Sequence, residues 1–203
     1  MKIFLYIFAF IILLISPFFG EITLKLDDIF DTLNSSNMVF WDLRVPRVVL
    51  AFFVGGILSL GGLIFQIIFK NELITPYTLG IASGTTLFTA VAIVFFPMLN
   101  ITISSIFGSI TTILILYFIS KKINKNSVAV STNSILLIGI ALSYFYSSAL
   151  MLAFYMSNLQ ENYSIIRFTL GSLDTVGFSN SFILMLLSFV FYGVIYFYKD
   201  KIK

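Results

Sequence analysis

The stretch VVLAFFVGGILSLGGLIFQIIFKNELITPYTLGIASGTT, residues 48–86, holds the pattern that decides the fold. Its first part, 48–69, runs without one ionisable side chain. That is the length of a membrane-spanning helix, which needs about 20 apolar residues to cross a hydrocarbon layer of roughly 30 Å. Lys70, Asn71 and Glu72 then form a polar hairpin. Thr75 is placed to cap a following helix, and Pro76 suits a first turn, where a missing amide hydrogen costs nothing. Gly80 and Gly84 would let the start of that helix pack closely against its predecessor. Two apolar spans joined by a short charged turn predict a polytopic membrane protein.

The same alternation continues in both directions. Apolar stretches occupy 3–19, 48–69, 75–96, 101–120, 134–156 and 181–198. The 203 residues are 59% hydrophobic and only 10% charged, against a charged share of about a quarter in soluble domains. The expected fold is all-α: a transmembrane helical bundle of about six spanning helices, forming one membrane domain over 1–203. The first stretch follows Lys2 as a signal peptide would, but Ser16 to Gly20 offer no clear small-x-small cleavage site, so a retained helix is expected. Between the fifth and sixth stretches, GSLDTVG at 171–177 reads as a turn.

Positive charge sets the orientation. With a cytoplasmic amino terminus, Lys2, Lys70, Lys121, Lys122, Lys125, Lys199, Lys201 and Lys203 lie inside, and Lys25, Arg44, Arg47 and Arg167 lie outside. The excess inside favours this choice and puts both termini in the cytoplasm. The net charge of +3 is therefore a topology signal and not a nucleic-acid footprint.

No Asp, Glu, Lys, Arg or His falls inside any of the six stretches, and the chain has neither histidine nor cysteine. Proton relays and ion-coupled carriers usually need such groups at membrane depth, so a secondary carrier is disfavoured, although sodium can be held by carbonyls and hydroxyls alone. No acid, base or metal-ligand set for catalysis is present. There is also no phosphate-binding G-x-x-x-x-G-K-[ST] loop, so any ATP chemistry belongs to a partner. The chain reads as a non-enzyme without a cofactor.

Small residues recur instead. Ala51, Gly55 and Ser59 line one face of the second stretch, with Gly56, Gly61 and Gly62 beside them. Gly80 with Gly84, and Ser104 with Gly108, repeat the spacing on the third and fourth. For these, close helix packing is the expected role. On the fifth, Gly139, Ser143 and Ser147 form a hydroxylated stripe near Thr132, Asn133 and Ser134, for which packing and a solvated pathway stand equally. Gln66 is expected to satisfy its amide near the interface or against the third stretch.

Residues 44–86 as a whole resemble the signature of FecCD-type permeases, membrane subunits of ATP-driven importers for iron-siderophore complexes, haem and cobalamin. The carriers of the resemblance are R-x-P-R at Arg44 to Arg47, a glycine-rich helix ending in Gln66, then Asn71, Pro76 and L-G-I-x-S-G from Leu79 through Gly80 and Ser83 to Gly84. LLIGIAL at 136–142 and the Gly-Ser-Leu at 171–173 continue the likeness. Where the family commonly reads N-P-L-A-D-P, this chain has Asn71, Glu72, Leu73, Ile74, Thr75 and Pro76. Family members usually have ten helices, and the segment after the sixth docks on the ATPase. The sequence is thus expected to be the amino-terminal six of ten.

The resemblance implies an importer in the bacterial cytoplasmic (inner) membrane, with separate cytoplasmic ATPase subunits, a periplasmic or lipoprotein substrate-binding protein and a second permease chain as partners, embedded in lipid. By position, Arg44 and Arg47 match outward arginines that pair with carboxylates of the binding protein, a role suited to a guanidinium fork. Their alternatives are anchorage at the headgroups or pairing with Asp42. Ser131, Thr132 and Asn133 match an inner gate, and Ser143 and Ser147 the pathway. The cargo implied is an iron chelate, siderophore or haem, with cobalamin also open. Competing readings are a split-gene half or non-transporting remnant, and a small ion-coupled carrier.

Overall fold

The structure, a computed structural model, describes residues 2–20, 22, 29–30, 35–123 and 132–198. Every regular element among the described residues is helical. Helix α1, Lys2–Ile15, ends in a 3-10 turn, Ser16–Phe18. A helical turn, Ser35–Met38, passes through a π turn, Val39–Arg44, into α2, Val45–Phe69. Then follow α3, Ile81–Phe95; α4, Ile101–Ile123; α5, Thr132–Met156; α6, Leu159–Leu170; and α7, Ser179–Tyr198. Ser35–Phe69, Ile101–Lys122, Thr132–Met156 and Ser179–Phe197 are long and apolar enough to cross a membrane, whereas Ile3–Phe18 and Ile81–Phe95 are apolar but shorter. Each of the six apolar stretches is thus a helix, and the all-α multi-pass architecture holds.

The third stretch departs from expectation, and the reason is local. Thr75 does cap: its Oγ1 accepts from Thr78 N at 3.2 Å, while Thr78 Oγ1 accepts from Thr75 N at 2.8 Å. The cap serves only one hydrogen-bonded turn, not the long helix. Gly80, at φ 76°, closes that turn, with Ile81 N donating to Pro76 O at 3.0 Å and Gly80 N to Tyr77 O at 3.0 Å. This is the double closure of a left-handed helix cap, which glycine adopts without a Cβ penalty. α3 begins afresh at Ile81. Lys70 closes α2 in the same way at φ 49°, through Lys70 N to Ile67 O and Asn71 N to Gln66 O.

The chain divides into two compact units, Met1–Leu60 with Leu173–Lys203, and Gly61–Ser172. In the first, proline shapes the start of α2. Pro46 has no amide to return to the Asp42 carbonyl, and that carbonyl accepts from Gly177 N at 2.7 Å instead. The buried Ser181 hydroxyl donates to Pro46 O at 2.9 Å, which ties the beginning of α7 to the beginning of α2. Gly56 makes room for the Tyr192 hydroxyl, the nearest atom to where its Cβ would stand.

In the second unit, Ala90 of α3, Ala153 of α5 and Ile165 of α6 form a buried centre, with Ile93, Val94, Leu150 and Phe154 packed around it. Apolar burial gains little in lipid, so close backbone approach carries the packing. A Cβ on Gly108 of α4 would stand 2.7 Å from Phe88 Cβ of α3. Gly84 faces Thr112 of α4 and Tyr146 of α5, and Gly80 faces Gly139, Leu142 and Ser143 of α5. These two glycines therefore admit α4 and α5, not the preceding helix as the sequence had suggested. Their neighbours come from later in the chain, which a local spacing rule does not identify.

Helix α6 is not one of the six apolar stretches. It is fixed by a capping box: Asn158 Oδ1 accepts from Gln160 N and Glu161 N, and Glu161 Oε2 accepts from Asn158 N at 2.9 Å. Replacing Asn158 with alanine should cost the helix about 1 kcal/mol. Hydrogen exchange across 159–170 should rise about fivefold. Unchanged protection would show that tertiary contacts alone hold α6.

Candidate functional site

A cavity of about 320 Å³ opens in the second unit. The turn after α2 contributes Tyr77; α3 contributes Ala82, Ser83, Thr85 and Thr86; α5 contributes Ser147 and Leu150; and α6 contributes Phe168 and Thr169. Six of these side chains carry hydroxyls and none carries a charge. Several hydroxyl hydrogens are committed within their own helices: Thr85 Oγ1 donates to Ile81 O at 2.8 Å, Thr86 Oγ1 to Ala82 O at 3.0 Å, and Thr169 Oγ1 to Ile165 O at 2.8 Å. What remains on those oxygens are acceptor lone pairs. The lining can therefore hold a polar solute by many weak hydrogen bonds without trapping it by charge.

The sequence brings these residues together through the corner at 75–80. Thr78 O and Leu79 Cα lie against Gly139, and Ser143 Oγ donates to Tyr77 O at 3.1 Å and to Gly139 O at 3.0 Å. Backbone meets backbone where α5 has no side chain. That contact seats α3 beside α5, so that Ser83 and Ser147 face one space.

The other residues singled out from the sequence are dispersed. Ser143 braces the corner and does not line the cavity. Thr132 is half-buried and Asn133 exposed at the start of α5. They stand about 22 Å along the helix from Ser147 at 1.5 Å per residue, so they do not join this cavity. Ser131 lies outside the described residues. Gln66 Nε2 donates to Glu72 O at 3.2 Å, and Asn71 Oδ1 accepts from Leu73 N at 2.9 Å, shaping the turn that leads to the half-buried Pro76. Beyond the backbone of their own helix and their chain neighbours, Gly55, Gly61 and Gly62 have no heavy atom within 4 Å of an added Cβ, and Ser59 is exposed. Sequence reasoning missed Tyr77, Thr85, Thr86 and Thr169. Thr85 and Thr86 follow Ser83 on the same helix and Tyr77 lies in the corner before it; Thr169 needed α6, whose one signal was the Asn158 to Glu161 spacing.

The two arginines of the first unit are engaged differently. Arg44 Nη1 donates to Pro17 O at 3.3 Å and Phe18 O at 3.4 Å, and its Nη2 donates to Ile22 O. Arg44 thereby ties the segment after α1 to the start of α2. Arg47 Nη2 lies 3.5 Å from Asp174 Oδ1, with both side chains about half exposed. Its acidic neighbour is thus Asp174, and not the Asp42 that sequence proximity suggested.

The sequence profile of the FecCD transport family matches residues 7–203. A probable iron chelatin transport system permease protein of Helicobacter pylori (strain ATCC 700392 / 26695) is 33% identical over 153 residues, covering 75% of this chain and 45% of that protein. The molybdate import system permease protein MolB of Haemophilus influenzae is 32% identical over 141 residues, covering 68% and 41%. The vitamin B12 import system permease protein BtuC of Vibrio cholerae is 26% identical over 144 residues, covering 69% and 42%. The chain spans less than half the length of these relatives. A solved structure described as an inward-facing conformation of an ABC transporter superposes with a TM-score of 0.77 at 24% identity, covering 98% of this chain and 61% of that one. That likeness establishes the fold.

Proposed function

The chain belongs to the FecCD transport family, and we propose that it is membrane-spanning permease material of an ATP-driven importer, moving an iron chelate across a bacterial cytoplasmic membrane. The observation that carries this reading is the cavity among α3, α5 and α6, rich in hydroxyl acceptors and free of charge. A bulky solute that must leave as readily as it arrives is best served by such a lining. An iron chelate comes first among candidate cargoes because the Helicobacter pylori relative is named for one; vitamin B12 and molybdate are named for others.

The work of transport then falls to partners: cytoplasmic ATPase subunits, an outer substrate-binding protein and a second permease chain. Arg47, half exposed and held by a long ion pair, is the better placed of the two arginines to turn toward a carboxylate on the binding protein. Arg44 supports it by fixing the neighbouring backbone. The deciding experiment is uptake of ferric chelate into vesicles carrying the full importer. Accumulation should require ATP and stop when it is withdrawn. Accumulation driven by a sodium or proton gradient alone would overturn the reading.

A further inference from the structure

Two cavities of the first unit share a wall at Ser16, Arg47 and Val48. The larger, about 560 Å³, is apolar and runs between α1 and α2, past Leu5, Phe8 and Ile12 on one side and Ala51 and Phe52 on the other. The smaller, about 360 Å³, is lined by both Arg44 and Arg47, together with Pro17 and Ile22, whose carbonyls Arg44 holds. One slot is greasy and the other cationic.

Their dimensions suit a particular occupant. From Ser16 to Leu5 the groove follows one face of α1 for about 16 Å at 1.5 Å per residue. That is about half of the roughly 30 Å hydrocarbon layer, the depth of a single leaflet. Leu5, Phe8, Ile12 and Phe52 remain 56%, 53%, 51% and 57% exposed along it, so the groove is open to a lipid. At its head Arg44 and Arg47 stand together, and Asp174 holds Arg47 only at 3.5 Å and in solvent. An exposed pair of that length is weak, and a guanidinium offers paired donors to phosphate oxygens.

We propose that the groove binds an anionic phospholipid of the surrounding bilayer, with its phosphate at Arg47 and one acyl chain between α1 and α2. Lipid binding there rests on these two cavities and does not depend on the transport reading. Because that reading gives Arg47 a carboxylate partner, the test uses the chain without any binding protein.

The chain is exchanged from nanodiscs of mixed phosphatidylglycerol and phosphatidylcholine into detergent, and retained lipid is counted by native mass spectrometry. One phosphatidylglycerol per chain is expected, in preference to phosphatidylcholine. Arg47→Gln should lower its retention about tenfold, the loss of one charge-assisted contact. Ala51→Trp, which obstructs the apolar slot and leaves the charge, should lower it comparably, and it tests the same groove without touching the arginine if the arginine variant fails to fold. Equal retention of the two lipids, retention unmoved by both substitutions, or a second protein chain in place of lipid would each overturn the proposal.

Discussion

Replacing Gly139 with alanine should destabilise the Gly61–Ser172 unit by about 3 kcal/mol, the upper range for overpacking a closed contact. The added Cβ would stand 2.6 Å from Thr78 O, 2.7 Å from Leu79 Cα and 3.0 Å from Leu79 C. All three are backbone atoms and no rotamer change moves them aside. Nor is the corner free to retreat. Its turn is pinned at one end by the reciprocal Thr75 and Thr78 hydrogen bonds and at the other by the Gly80 closure, and Leu79 is buried. α5 cannot easily withdraw either, because Ser143 hydrogen-bonds the same corner and Tyr146 packs beneath Gly84. Reversible unfolding in mixed micelles measures the loss directly. Gly193→Ala, where an added Cβ meets nothing within 4 Å beyond its own helix backbone and chain neighbours, is the control. Matching unfolding curves for the two variants would show that the corner and α5 do not touch.

The same corner shows why part of the molecule is legible in the sequence and part is not. Spans can be read because lipid imposes one demand that length alone answers: about 20 residues without charge. The onset of α3 cannot, because a threonine cap followed by proline looks identical before one turn and before five. What ends the turn is the left-handed Gly80, and a glycine in sequence does not state its φ. α6 escapes a search for spans because its residues are neither apolar enough to cross lipid nor long enough to force a fold.

The cavity is half legible for a related reason. Ser147 stands out in the hydroxylated stripe of the fifth stretch and Ser83 only as part of the L-G-I-x-S-G motif, and only tertiary packing sets them beside Thr169. Arg47 and Asp174 lie in separate regions of the sequence, and their ion pair depends on how α2 and the segment before α7 meet, through Gly177 N to Asp42 O and Ser181 to Pro46 O. Nearness in sequence favours Asp42, and backbone hydrogen bonding decides otherwise.

Ser147→Trp should reduce ATP-dependent chelate uptake by the full importer at least about tenfold, an increment of about 1.4 kcal/mol in the barrier. Ser147 is exposed on α5 and lines the hydroxyl cavity, so an indole there should narrow the space at small cost to folding. The loss should come from size and not from the missing hydroxyl: Ser147→Ala should retain most uptake, since the cavity keeps its other hydroxyls. Basal ATP hydrolysis supplies the second readout. If the cavity is on the route, the tryptophan variant should hydrolyse ATP at its usual basal rate while chelate no longer crosses. Preserved uptake in the tryptophan variant would place the route elsewhere and leave the hydroxyls of α3, α5 and α6 a packing role. A joint loss of hydrolysis and uptake would trace the effect to assembly. Only blocked passage with intact hydrolysis satisfies the transport reading, because it separates movement of the chelate from the energy source that drives it.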